Sequence, residues 1–281
     1  MRIELATEPG DPGRPNEDYA SVALPASGKG GTLVLLDGVT PPADDYGCLH
    51  SVPWFTARLG GVLGELSGSR RDLGLREVLA EAIARTAEAH RPTCDLSHSR
   101  TPQATVVLVR WDEERVEHLV LSDSALLMEA ADGTVRAVLD ERLATLPPQI
   151  DRLRAAVRAL PDGSLERAAA AREYVAGVEA LRNAEGGFFT AAADPDVARR
   201  AVCGTRPRAE VRSVAALTDG AARWVERFGA GTWTECVALL RKAGPQELID
   251  RVRALESGTG PGPSTPRGKV HDDAAAVFAE L

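Results

Sequence analysis

The chain has 281 residues, with 33 Lys plus Arg against 41 Asp plus Glu and a formal charge of −8, a balance that repels a nucleic-acid backbone. Hydrophobic residues make up 44% and charged residues 26%, the makeup of a globular protein and not of a disordered one. No apolar run approaches the roughly 18 residues of a spanning helix, and "MRIELATEPG" lacks the apolar stretch of a secretion signal, so a cytoplasmic protein without a membrane partner is expected. Cys48, Cys94, Cys203 and Cys236 form no C-x-x-C pair. The spacing suggests neither a zinc knuckle nor a disulfide framework, and free thiols are expected.

In chain order, the first strand-like runs are "YASVALP" from Tyr19 and "GTLVLLDG" from Gly31, joined by the turn-forming "ASGKGG"; together they predict a hairpin. Apolar residues then recur at helical spacing at Trp54, Phe55, Leu59, Val62, Leu63 and Leu66, and again at Leu75, Val78, Leu79 and Ile83, predicting two helices split by "SGSRRD". "ATVVLVRW", "RVEHLVLSDSALLMEA" and "DGTVRAVL" predict an antiparallel meander. The Ala- and Arg-rich stretch from Pro148 to Arg182 breaks at "PDGS", where Ser164 is placed to cap a second helix, and is expected to be a helical hairpin. Strands are expected around "GGFFTAAA" and "EVRSVAALTDG", helices at Ala221 to Phe228 and Trp233 to Leu255, and a last strand in "DDAAAVFAEL" after the flexible "SGTGPGPSTPRG". No linker divides the chain, so one α+β domain over 1–281 is expected.

Aspartates recur at the ends of these runs. "LVLLDG" stops at Asp37, "VAALTDG" at Asp219 and "HLVLSDS" at Asp123, while Asp18 and Asp272 each stand near the start of a run. Each has a plain structural explanation: Asp37-Gly38 as a turn, Asp219 as a helix cap, Asp18 as a turn residue after Pro15, Asp272 as solvated loop charge. Aspartate is nevertheless depleted inside strands, and a sheet that brings several strand ends to one edge would gather the carboxylates. Crowded acids raise one another's pKa unless cations neutralise them. All-oxygen ligands favour Mg²⁺ or Mn²⁺, and two such ions balance four carboxylates.

"RPNEDYASV", "LVLLDG", "ATVVLVRW", "HLVLSDSALL", "AALTDG" and "DDAAAVF", in this order, resemble the successive motifs of the metal-dependent serine/threonine protein phosphatases of type 2C, the PPM family, as a divergent bacterial member would. The resemblance runs from about Arg14 to Phe278. It implies a four-layer α-β-β-α sandwich, two antiparallel sheets flanked by helix pairs, with a two-metal Mn²⁺ or Mg²⁺ site at one edge. In that pattern Asp37 bridges the ions and the Gly38 carbonyl ligates one of them. Asp219 and Asp272 complete one shell, Glu17 and Asp18 hold the other ion partly through water, and Asp123 belongs to a third, weaker ion. The implied reaction is hydrolysis of phosphoserine or phosphothreonine by a metal-bridging water, without a covalent phosphoenzyme.

The chain departs from the family pattern at several places, among them "TPQAT" where the family has S-G-T-T before its third strand. Arg14, the candidate phosphate ligand, stands four residues before Asp18 where the family has five. The segment after Asp37-Gly38 reads "VTPPADDYGCLH", longer and Pro-stiffened, with His50 at its end as a candidate general acid or a structural histidine. The hairpin at about 148–183 falls where relatives carry a variable flap, which implies control over which phosphorylated protein or small phosphorylated substrate is admitted. The alternatives are a catalytically weak or inactive regulatory protein of the same fold, or a phosphatase of small metabolites.

Overall fold

The computed structural model describes residues 1–41, 47–258 and 271–281; the middle of the Pro-stiffened segment, 42–46, and most of the loop "SGTGPGPSTPRG" lie outside them. The described strands form two antiparallel sheets of five. In spatial order the first holds β1 (Arg2–Glu8), β10 (Ala274–Glu280), β9 (Val211–Leu217), β6 (Ala125–Ala130) and β7 (Val135–Val138). The second holds β2 (Tyr19–Ala23), β3 (Gly31–Leu36), β4 (Val106–Trp111), β5 (Arg115–Leu121) and β8 (Val202–Pro207). The helices are α1 (Val52–Ser69), α2 (Leu75–His90), α3 (Pro148–Ala159), α4 (Leu165–Glu179), α5 (Asp219–Glu226) and α6 (Trp233–Glu256).

Strand alternation sorts the apolar residues into three layers of contact and so builds the expected four-layer sandwich. Val34 and Leu36 of β3, with Val106 and Leu108 of β4, face Phe55, Leu59 and Leu63 of α1 and Leu79 and Ile83 of α2. Leu33, Leu35, Val107 and Val109 point the other way and meet Val214, Ala216, Ala275 and Val277 of the opposite sheet. The far face of that sheet, with Ala276 and Phe278, is covered by Leu240, Leu248 and Ile249 of α6. A strand covered on both faces has no reason to alternate polar with apolar. This is why β3 reads as an unbroken apolar run, and each of its leucines contributes about 1.5–3 kcal/mol of burial.

Several expectations are corrected. The meander is split between the sheets: β4 pairs with β5 in one, β6 pairs with β7 in the other, and β5 does not pair with β6. The chain changes sheet at Ser122, which takes a left-handed φ of 69° and donates its N–H to the Asp140 carboxylate at 2.9 Å. No strand forms around "GGFFTAAA", where Ala191 makes a single bridge to Ala104 and a tight turn intervenes: a Cβ on Gly187 would lie 1.9 Å from the Leu181 carbonyl oxygen. Two strands that the pattern did not suggest, β1 and β8, sit at sheet edges. Helix α6 is kinked at Gly244, where φ is 85°, because Pro245 has no N–H and its ring clashes with the preceding turn.

The remaining helices lie as expected. Ser51 caps α1 by accepting from the Trp54 N–H at 3.3 Å, and Ser164 caps α4 by accepting from the Arg167 N–H at 3.1 Å. Within the hairpin α3–α4 only Ile150 is buried. No helix among the described residues is long and apolar enough to cross a membrane.

Candidate metal centre

Strand β3 hands the chain to Asp37 at the sheet edge. Its backbone stays tied to the β4 side: the Asp37 N–H donates to Thr105 Oγ1 at 3.2 Å, and the Thr105 N–H donates to the Asp37 carbonyl at 2.9 Å. Gly38 must be glycine, because a Cβ would lie 2.5 Å from Val52 Cγ1 and 2.6 Å from the Glu17 carbonyl oxygen. That crowding sets Glu17 beside the Asp37-Gly38 corner, where its Oε2 accepts from the Thr40 hydroxyl at 2.5 Å.

The other acids arrive from the opposite sheet and its helix. Asp219 opens α5, and its backbone N–H donates to Asp37 Oδ2 at 3.3 Å. Thr218 fastens two of the motifs together: its hydroxyl donates to Asp18 Oδ2 at 2.9 Å and accepts from the Ala275 N–H at 2.8 Å. Asp273 accepts from the Gly10 and Glu17 N–H groups, both at 2.7 Å, so the segment bearing Glu17 is clasped to the start of β10. The neighbouring Asp272 is engaged by an arginine of α5, with Arg223 Nη2 2.7 Å from its Oδ2 and Nη1 2.5 Å from Glu256 Oε1. Asp123 lies at the sheet crossover, where its Oδ1 accepts from the Ser122 hydroxyl at 3.2 Å.

Burial is the first cause that holds the Asp37 carboxyl well above the ordinary carboxylate range, and the charges of Asp18, Asp219 and Asp123 push it further. Asp18 is raised by burial against the Thr218 hydrogen bond, with Asp273, Asp219 and Asp272 adding repulsion. Asp219 is pushed up to about 6 by burial, then by Asp123 and Asp272, with Arg223 opposing. Asp123 rises through burial, its Ser122 hydrogen bond opposing. The structure therefore links Asp18, Asp37, Asp123, Asp219 and Asp272, from five separate places in the chain, with Asp219 in electrostatic reach of the other four.

Glu226 was not anticipated. It is pushed up to about 6 by burial and then by Asp123 and Asp219, and it stands seven residues after Asp219, two helical turns along one face of α5. That spacing was the available signal. Arg14 is exposed and lines a cleft with Glu17, Thr40, His271 and Asp273. His50 has other company: its described partners are Cys48, Cys94, the ring of Trp54 at 4.0 Å and the ring of His90, and no carboxylate is among them.

A metal fits the chemistry of this donor set. The acids are half-buried, their donors are all oxygen, and Asp18 Oδ1 is buried with no hydrogen-bond partner among the described residues. An orphaned carboxylate oxygen in such a place is costly without a cation, and oxygen-only ligation suits hard divalent ions.

The sequence matches no protein-family model and no curated protein, whereas the structure matches many solved ones. The serine/threonine phosphatase Stp1 of Staphylococcus aureus aligns with a TM-score of 0.58 at 12% identity, over 100% of this chain and 95% of that one. The serine-threonine phosphatase 2C of Toxoplasma gondii gives 0.56 at 11% identity, over 98% and 93%. PppA of Pseudomonas aeruginosa, a regulatory component of a type VI secretion system, gives 0.53 at 16% identity, over 99% and 96%. The chain has the two-sheet sandwich fold of the type 2C phosphatases.

Proposed function

We propose that this chain is a divalent-metal-dependent phosphomonoester hydrolase, with phosphoserine and phosphothreonine in proteins as its substrate class. The observation that carries the reading is the convergence of the half-buried Asp18, Asp37, Asp123 and Asp219, including the unpartnered Oδ1 of Asp18. Asp37, the Gly38 carbonyl, Asp219 and Asp272 would hold one Mn²⁺ or Mg²⁺, Glu17 and Asp18 the second, and Asp123, with Glu226 nearby, a weaker third. When bound, these ions supply the positive charge that ionises water near neutral pH and offsets charge developing on the phosphoryl oxygens.

The protein's own groups orient and admit the substrate. Thr218 fixes the rotamer of Asp18, the Asp219 N–H fixes that of Asp37, and Asp273 holds the Glu17 segment in place. The hairpin α3–α4 acts as a flap. It borders a groove that runs from Thr40 past Arg100, Arg172, Tyr174 and Arg182, and the arginines give it the charge to receive a phosphorylated peptide. Arg14, which lines a cleft with Glu17, Thr40 and Asp273, would meet a phosphate bound there.

The test is Mn²⁺-dependent hydrolysis of an aryl phosphate by the wild type, Asp37→Asn and Asp219→Asn. Loss of activity in both variants is expected, and equal rates in all three would end the proposal. The ion pair between Arg223 and Asp272 favours a second reading, a protein of this fold that binds a partner without catalysis. Calorimetry showing no Mn²⁺ binding from micromolar to millimolar concentration would select it.

A further inference from the structure

A second group of ligating side chains lies at the far end of the segment that leaves Asp37-Gly38. Cys48 and His50 precede α1, while His90 ends α2 and Cys94 follows it by four residues. One ligand atom from each of the four lies within 4.8 Å of every other. From this geometry we infer that Cys48, His50, His90 and Cys94 form a tetrahedral zinc site, separate from the carboxylates and structural in role.

The distances suit a common central ion. A tetrahedron with Zn–S of about 2.3 Å and Zn–N of about 2.0–2.1 Å has sulfur–nitrogen edges of about 3.6 Å and a sulfur–sulfur edge of about 3.8 Å. Cys48 Sγ is 3.7 Å from His50 Nδ1 and 3.4 Å from His90 Nδ1, and Cys94 Sγ is 3.3 Å from His50 Nδ1. The two sulfurs are 2.9 Å apart, so they separate by about 1 Å around the ion. They are also well beyond the roughly 2.05 Å of a disulfide. Two thiolates and two imidazoles select zinc over the hard ions suited to the acid cluster.

The surroundings support thiolate ligands. The Leu49 N–H donates to Cys94 Sγ at 3.4 Å and the His50 N–H donates to Cys48 Sγ at 3.4 Å, the outer-shell bonds that steady a metal-bound sulfur. His90 is buried and its Nδ1 faces the Cys48 sulfur at 3.4 Å, which makes Nδ1 the ring nitrogen a central ion would take. The two halves of the site are already held together, because the Asp95 N–H donates to the Gly47 carbonyl at 2.7 Å. Gly47 has a φ of 70°, and a Cβ there would lie 2.6 Å from His98 Cβ. The ion would staple the segment that leaves the acid cluster onto the end of α2.

Full-length protein purified under reducing conditions, then passed over a chelating resin and weighed intact in its native state, is expected to retain one zinc that a Cys48→Ser/Cys94→Ser double variant lacks. Cobalt(II) added to the metal-free wild type is expected to give the intense visible bands of a tetrahedral site together with thiolate-to-cobalt charge transfer. Oxygen-only six-coordinate cobalt gives neither, and Asp37→Asn is expected to leave the spectrum intact. The cobalt measurement stands even where the double variant does not fold. A reduced wild-type chain that retains no zinc and shows no thiolate–cobalt band overturns the inference, as does a Cys48–Cys94 disulfide forming while zinc is in excess.

Discussion

The two ends of one short segment make an instructive pair. At Asp37 the chain enters a pocket of carboxylates that repel one another; at Cys48 and His50 it enters a pocket of soft, polarisable sulfur and imidazole donors. The first is built from places spread over most of the sequence and depends on both sheets being in register. The second joins two segments on one side of a single sheet, at the start of α1 and the end of α2. Hard and soft donors that lie this near each other in sequence select different cations without exchanging them, so one stretch of chain could serve a catalytic ion at one end and a structural ion at the other.

Asp37→Asn would break the contrast most sharply. Mn²⁺-dependent hydrolysis of an aryl phosphate is expected to fall on the order of 10³-fold, while the metal-free protein becomes more stable in urea because a repelling carboxylate is gone. A variant that loses both activity and stability would show that Asp37 is a structural acid.

The pH response comes next in size and differs in sign between the two pockets. Asp219, raised from 3.8 to about 6, binds a proton more tightly folded than unfolded. Its stabilisation is therefore complete below about pH 4 and is lost as pH rises through 6, a change on the order of 3 kcal/mol. Urea melts of metal-free protein should show this decline, and millimolar Mn²⁺ should flatten it. Zinc retention by the thiol pocket should instead strengthen as pH rises, since its ligands must shed protons.

Thr218→Val sharpens the comparison further. It removes one hydroxyl that serves both Asp18 and the Ala275 N–H, for an expected loss of about 1–2 kcal/mol in thermal or urea melts and a roughly tenfold drop in Mn²⁺ affinity by calorimetry. The smallest effect on stability belongs to Arg14→Ala. Arg14 is exposed, so stability should stay within about 0.5 kcal/mol, while a raised KM for phosphopeptides would place its guanidinium on the phosphate.

The acid cluster was legible because aspartate at the end of an apolar run contradicts what strands prefer, and three such ends, with two more aspartates at the starts of runs, are hard to produce by chance. The double-faced burial of β3, β4 and β10 was legible for a related reason, since their apolar runs were too continuous for a half-exposed sheet. β1 and β8 left little trace, because edge strands such as "RIELATE" and "VCGTRP" are only partly covered and carry no strong pattern. The sheet crossover at Ser122 was hidden inside what read as one long strand. The Cys/His group escaped notice because C-x-H and H-x₃-C are separated by about 40 residues, and only the antiparallel return of α2 alongside α1 closes that distance. Glu226 was missed because the face it shares with Asp219 matters only once α5 is known to begin at the pocket.

Strand β10 lies between β1 and β9, pairing with both, yet it follows every other described strand in chain order. Until residues 273–280 emerge, β9 lacks one neighbour, Thr218 lacks the Ala275 N–H that fixes its hydroxyl, and the arm bearing Glu17 has no Asp273 to clasp it. Vectorial synthesis thus delivers the carboxylates in instalments and withholds the element that locks them together. A growing chain would complete its carboxylate pocket only after β10 has been made, when the strands and helices that precede it are already available to pack.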